Sequence, residues 1–82
     1  MNLERGTVVK SLNGRDKNKY FCVLDKQGDY VLYCDGCVRR LENPKRKKLK
    51  HVEVTRVKLQ TEILQVNKHI KKALTGLNIV EE

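Results

Sequence analysis

The sequence has no tryptophan, one proline, one phenylalanine and three tyrosines. Rings this scarce are needed in the core, which leaves no row of spare aromatic platforms on which successive unpaired bases would stack. One proline and five glycines are too few for a collagenous or low-complexity chain, and wholesale disorder is not expected. No apolar run approaches the roughly 18 residues that cross a bilayer. The opening MNLERGTVVKS lacks the apolar stretch of a secretory leader. A cytoplasmic, soluble protein with no membrane contact is therefore expected. Catalytic patterns are also missing: there is no His-Glu-x-x-His and no convincing Ser/His/Asp order, and the acids are scattered beside bases. Neither an enzyme, nor a small-molecule substrate, nor a cofactor is expected.

Of the three cysteines, two fall in CDGC, residues 34–37. A structural zinc site needs about four ligands. Beyond Cys34 and Cys37 the chain offers only Cys22, His51 and His69, with no second paired motif. A redox Cys-x-x-Cys starts at a helix N-terminus, whereas Asp35-Gly36 reads as a two-residue hairpin turn. The expectation is that Cys34 and Cys37 are reduced cross-strand neighbours and that no metal is bound; a zinc or redox role is the rival.

What the chain has in excess is positive charge. It carries 18 Lys and Arg against 10 Asp and Glu, a net charge of +8 over 82 residues. A domain of this size buries only about 60–65% of its unfolded surface, which suits a binding surface better than a deep cleft. Much of the charge lies in ENPKRKKLKHV, residues 42–52, and a smaller group lies between Arg5 and Lys19. Such concentration is the footprint of a polyanion binder, although an isolated run also fits a solvated loop or a targeting signal. Pro44 opens the run and argues against the amphipathic helix that a membrane surface would require.

Read along the chain, GTVVKSL (6–12), YFCVL (20–24), YVLYC (30–34), CVRRL (37–41) and HVEV (51–54) are candidate strands. They are separated by turn signals at Asn13-Gly14, at Gln27-Gly28 and at Asp35-Gly36. The basic run reads as the loop between strands four and five. Further on, Leu59, Ile63, Val66, Ile70, Ala73 and Leu77 recur at spacings of 4, 3, 4, 3 and 4, which is a helical stripe. Thr61 or Asn67 are candidate caps and Gly76 a candidate stop. Alternatively TRVKLQ (55–60) extends the fifth strand and the helix is shorter, from about residue 67 to 74. The fold class expected is mostly β: a small SH3-like, five-stranded barrel over residues 1–56, its basic loop at 43–51, and a C-terminal α-helix within 57–82 that packs on the barrel or docks a partner.

RGTVVKSLNGRDKNKYFCVL, residues 5–24, resembles the KOW motif, a strand–loop–strand unit of SH3-like barrels in ribosomal proteins and transcription-elongation factors. Gly14 matches its central glycine, and Asn18 stands where many such motifs have a second glycine. DGCVRRLENPKRKKLKHV, residues 35–52, is similar to the segment that follows the motif in the large-subunit ribosomal protein family fourteen-e and its relatives six-e and twenty-seven-e. The chain thus resembles short bacterial KOW-domain proteins related to that family. This resemblance implies ribosomal RNA as partner, on the large subunit or its precursor.

The residues expected to touch RNA are Lys45, Arg46, Lys47, Lys48, Lys50 and His51 from the basic run, and Arg39 and Arg40 leading into it. Lys10, Arg15, Lys17 and Lys19 come from the KOW segment. Gly14, Asp35 and Gly36 are expected to shape turns. A preponderance of Lys and Arg favours contact with backbone and shape over reading of sequence. The competing expectation is a protein-interaction module associated with translation or transcription, docking through the barrel or the helix stripe.

Overall fold

A computed structural model describes residues 3–80, with side chains up to Leu77. Residues 1–2 and 81–82 of the expected organisation lie outside the described part. The chain forms β1 (Thr7–Ser11), β2 (Tyr20–Gln27), β3 (Tyr30–Cys34), β4 (Lys45–Lys48) and β5 (Val52–Lys58), followed by α1 (Asn67–Val80), with single 3-10 turns at Leu49–His51 and Ile63–Gln65. All five strands belong to one antiparallel sheet in the order β4-β3-β2-β1-β5, with β4 and β5 at its edges.

Both faces of the sheet are apolar, and strand alternation sorts the side chains between them. On one face Val8, Tyr20, Cys22 and Cys34 pack against Leu64, Ile70 and Leu74 from the C-terminal segment. The expected stripe is corrected here: only Ile70, Ala73 and Leu77 of it lie on α1, Leu59, Ile63 and Val66 precede the helix, and Val66 is 44% exposed. The buried contacts come from Leu64, Ile70 and Leu74, and burying one Ile or Leu side chain stabilises by about 1.5–3 kcal/mol. On the other face Val9, Phe21, Val23, Val31, Tyr33 and Val52 form a second cluster. No helix covers that face among the described residues, yet Val9, Val23, Val31 and Tyr33 are wholly buried. Leu3, Leu49 and Val54 pack against this cluster. The register shifts between Thr7 and Val9 and between Val23 and Asp25 mark irregularities of the kind that bend a strand. Phe21 and Tyr33 stack within the cluster, with ring centroids 4.2 Å apart.

Several local expectations are corrected. Residues 37–41 are not a strand; they belong to a loop in which the Asp35 carboxylate accepts from the backbone N–H of Cys37 and of Arg39, each at 2.9 Å. A side chain that satisfies backbone donors locally removes the need for a ladder, and Val38, which a strand would have buried, is 66% exposed. Asp35-Gly36 is accordingly not a hairpin turn. Cys34 has Cys22 as its cross-strand partner, not Cys37. The fourth strand is the basic run itself, paired along β3 from Tyr33↔Lys45 to Tyr30↔Lys48.

The turn between β2 and β3 centres on Gly28 and Asp29, one residue later than expected, because Gln27 pairs with Tyr30. Gly28 has φ 61, as the first position of a two-residue hairpin demands. Of the two readings of the C-terminal third, the longer β5 with a helix starting at Asn67 is the observed one. Gly76 does not stop that helix, which continues to Val80.

Candidate nucleic-acid interface

The loop between β1 and β2, residues 12–19, is shaped by backbone bonds: Lys17 N–H to Gly14 at 3.2 Å, Lys19 N–H to Asp16 at 3.0 Å and Asn18 N–H to Ser11 at 2.8 Å. Two consecutive tight turns need left-handed residues, and Gly14 (φ 74) and Asn18 (φ 68) supply them. The asparagine thus fills the position where a second glycine was noted. The loop leaves Arg15, Lys17 and Lys19 exposed and turns Asp16 inward.

Asp16 is the organising residue, and its importance was not foreseen. Its carboxylate accepts from the Tyr33 hydroxyl at 2.8 Å, from Arg39 Nε at 3.2 Å and from Arg39 Nη2 at 3.4 Å. Burial works to raise its pKa, but the bonds from Tyr33 and Arg39 and the charges of Arg39 and Lys47 outweigh burial and hold it below the ordinary value. Burial, reinforced by the bond to Asp16, moves the Tyr33 hydroxyl far above the usual phenol range. The signal available in the sequence was one acid standing in an otherwise basic loop. Arg39 is consequently occupied within the protein, with its side chain 24% exposed. Arg40 remains exposed, its Nε donating to the Cys37 carbonyl at 3.3 Å.

β4 presents its four basic residues on two faces. Lys45 and Lys47 lie opposite Tyr33 and Val31 and share their inward face, and both are half-buried. Arg46 and Lys48 lie opposite Leu32 and Tyr30 on the outward face and are exposed. Lys47 Nζ donates to the carbonyl of Asn13 at 3.0 Å. A Cβ on Gly14 would come within 3.4 Å of that same nitrogen. The tip of the β1–β2 loop and the basic strand, more than 30 residues apart in sequence, are therefore tied side by side. Leu12 N–H to the His51 carbonyl at 2.9 Å draws in the end of the basic run as well.

The other expected contact residues lie as follows. The Arg46 guanidinium lies 3.8 Å from the centroid of the Tyr30 ring. Lys50 is exposed and His51 half-buried in the 3-10 turn. Lys10 lies on β1, half-buried, with Nζ 5.8 Å from the Tyr20 centroid. Gly36 is buried against the start of α1, where a Cβ would meet the Asn67 carbonyl at 2.1 Å, so its role is packing of the helix. Asn67 does not act on the helix alone: its side-chain oxygen accepts from Leu41 N–H and its amide donates to Glu42, both at 2.8 Å.

The cysteines lie away from this surface. Cys22 and Cys34 are buried and Cys37 is exposed. Burial, then the neighbouring Cys34, pushes the Cys22 thiol up to about 12. Burial, then Asp35, pushes the Cys34 thiol up to about 11. Among the described residues no group of three or more His, Cys, Asp or Glu side chains is arranged to hold a metal ion. Nor is any described helix long and apolar enough to cross a membrane. Comparison with protein-family models and with curated proteins yields no match.

Proposed function

We propose that this protein binds RNA in the cytoplasm, and that its target is ribosomal RNA of the large subunit or its precursor. The observation that carries the reading is the Lys47–Asn13 bond, which ties the basic strand to the basic loop. The two segments expose Arg15, Lys17 and Lys19 from the loop and Arg46, Lys48 and Lys50 from β4 and the turn after it. The resemblance to KOW-containing ribosomal proteins supports RNA as the polyanion and the large subunit as its setting. The mechanism is electrostatic docking on phosphates, with a rigid sheet edge and a tightly bonded loop holding the cations in fixed relative positions. Lys47 and Arg39 serve this surface by holding its parts together, not by reaching phosphates.

Neutralising about six phosphates releases their counterions, so log K should fall against log salt with a slope of roughly −4 to −5. Titration of a fluorescent ribosomal RNA fragment between low and high salt measures this. In cell lysate the tagged protein should sediment with large subunits or their precursors at low salt and remain at the top of the gradient at high salt. An RNA affinity insensitive to salt would overturn the mechanism, and absence from ribosomal fractions at low salt would overturn the ribosomal target.

A further inference from the structure

Beside the basic surface, where the β2–β3 turn meets the end of β4, lies an open cavity of about 510 Å³ lined by Asp29, Tyr30, Lys48, Leu49 and Lys50. That volume is within the range of small-ligand sites. The cavity lies where the start of β3 meets the end of β4. Leu49 N–H donates to the Asp29 carbonyl at 2.7 Å, which pins the 3-10 turn to the β2–β3 turn. Tyr30 and Lys48 are direct cross-strand partners and share one face of the sheet. Tyr30 also carries the Arg46 guanidinium at 3.8 Å. The other three rings are committed elsewhere: Phe21 and Tyr33 are stacked on each other in the core, and Tyr20 is buried at 8% exposure. Tyr30 is thus the one half-exposed Phe or Tyr ring among the described residues, and it lines a cavity flanked by two exposed lysines.

We infer that this cavity is a subsite for a single unpaired guanine nucleotide of the bound RNA; the inference rests on the RNA-binding reading above. The base stacks on the Tyr30 ring, which Arg46 holds in place and polarises, as stacked Arg–aromatic pairs do. Lys48 and Lys50 take the phosphates on either side of it. Asp29 is the only acid in the lining, and a carboxylate there repels phosphate and attracts N–H donors. Guanine alone among the four bases offers two adjacent N–H donors on its Watson–Crick edge, which suits the two oxygens of a carboxylate. The surface as a whole then grips folded RNA by its backbone, and this one position reads a base that the fold leaves unpaired.

The test uses four fluorescent RNA hairpins that differ in one bulged nucleotide, G, A, U or C, and a fully paired control, titrated at a single salt concentration. The bulged-G hairpin should bind about tenfold more tightly than the paired control, as expected for one base stacked on an aromatic ring. Tyr30→Leu should remove that advantage and leave affinity for the paired hairpin within about twofold. Asp29→Asn, at an exposed turn position where folding is not at stake, should bring bulged G down to the level of the other three bases. Equal affinity for bulged and paired hairpins, with binding still strong and salt-dependent, would overturn the subsite and leave the RNA reading standing. An equal advantage for all four bulges would overturn the assignment to guanine. Failure of every hairpin to bind would overturn the RNA reading and the subsite together.

Discussion

At the scale of single residues, Asp16 shows how a charge hidden in a basic loop organises its surroundings. Its carboxylate holds Tyr33 and Arg39 at once, so Asp16→Asn should destabilise the fold by about 1.5–3 kcal/mol, the range for hydrogen bonds to a charged group that is mostly buried. Urea unfolding of the two proteins at pH 7 measures the difference. The pH dependence has a definite sign. Asp16 titrates lower in the folded chain than the unfolded value of about 3.9. Its contribution is complete above that value and is lost as pH falls through the folded pKa. Between about pH 5 and pH 2 the Asp16→Asn protein should therefore lose less stability than the parent. The cysteines give a second residue-scale prediction. With Cys22 and Cys34 buried and their thiols raised, a thiol reagent at pH 7.5 should modify one cysteine in the folded protein, Cys37, and all three after denaturation. Rapid modification of Cys34 in the native state would contradict the burial described.

At the scale of elements, two glycines separate what a helix tolerates from what a loop requires. Gly76 lies within α1, and a Cβ there meets nothing within 4 Å. Gly76→Ala should stabilise the protein by about 0.5–1 kcal/mol through helix propensity and a less flexible unfolded chain, which thermal unfolding would register as a rise of several degrees. Gly36 has φ +78 and touches the backbone of the first helical turn. Gly36→Ala should cost about 1–3 kcal/mol from the backbone conformation alone, and the clash with Asn67 would loosen the helix from the sheet. The strand β4 makes a related point. Four consecutive Lys and Arg are poor strand formers, yet the segment pairs fully with β3. Placed at an edge, its charges, two of them turned inward, also discourage pairing with the sheets of other molecules. This explains why the run was read as a loop: intrinsic preference pointed away from a strand, and the partner that overrides it lies more than ten residues upstream.

At the scale of the whole molecule, the net charge of +8 matters less than its division into two groups joined by one bond. Reversing charge at Arg15, Lys17 and Lys19 together, and separately at Arg46, Lys48 and Lys50, should each lower the steepness of the salt dependence by about 2–3. Because the groups are distinct, the two losses should add, and the combined variant should bind RNA with almost no salt dependence. Lys47→Met tests the joint: it removes no exposed cation from either group, so weakened RNA binding at unchanged fold stability would show that alignment of the two segments contributes to affinity.

Much of this architecture was legible in the sequence, and what was not has a common cause. Alternating β-branched and aromatic residues mark β1, β2 and β3, which depend on neighbours a few residues away that the sequence displays directly; the 3–4 spacing from Leu59 to Leu77 ran the helix too far upstream, since Leu59, Ile63 and Val66 precede α1. The clustering of Lys and Arg was equally plain, and with it the expectation of a polyanion partner. Side-chain direction was not. That Arg39 serves Asp16, that Lys47 ties down the β1–β2 loop and that Tyr30 carries Arg46 are all contacts between residues 16 or more positions apart. The sequence determined which charges the protein owns and which segments extend or coil. Only the tertiary structure decided which of those charges face outward, because the fold brings a buried carboxylate and a backbone carbonyl within reach of cations that composition alone would count as free.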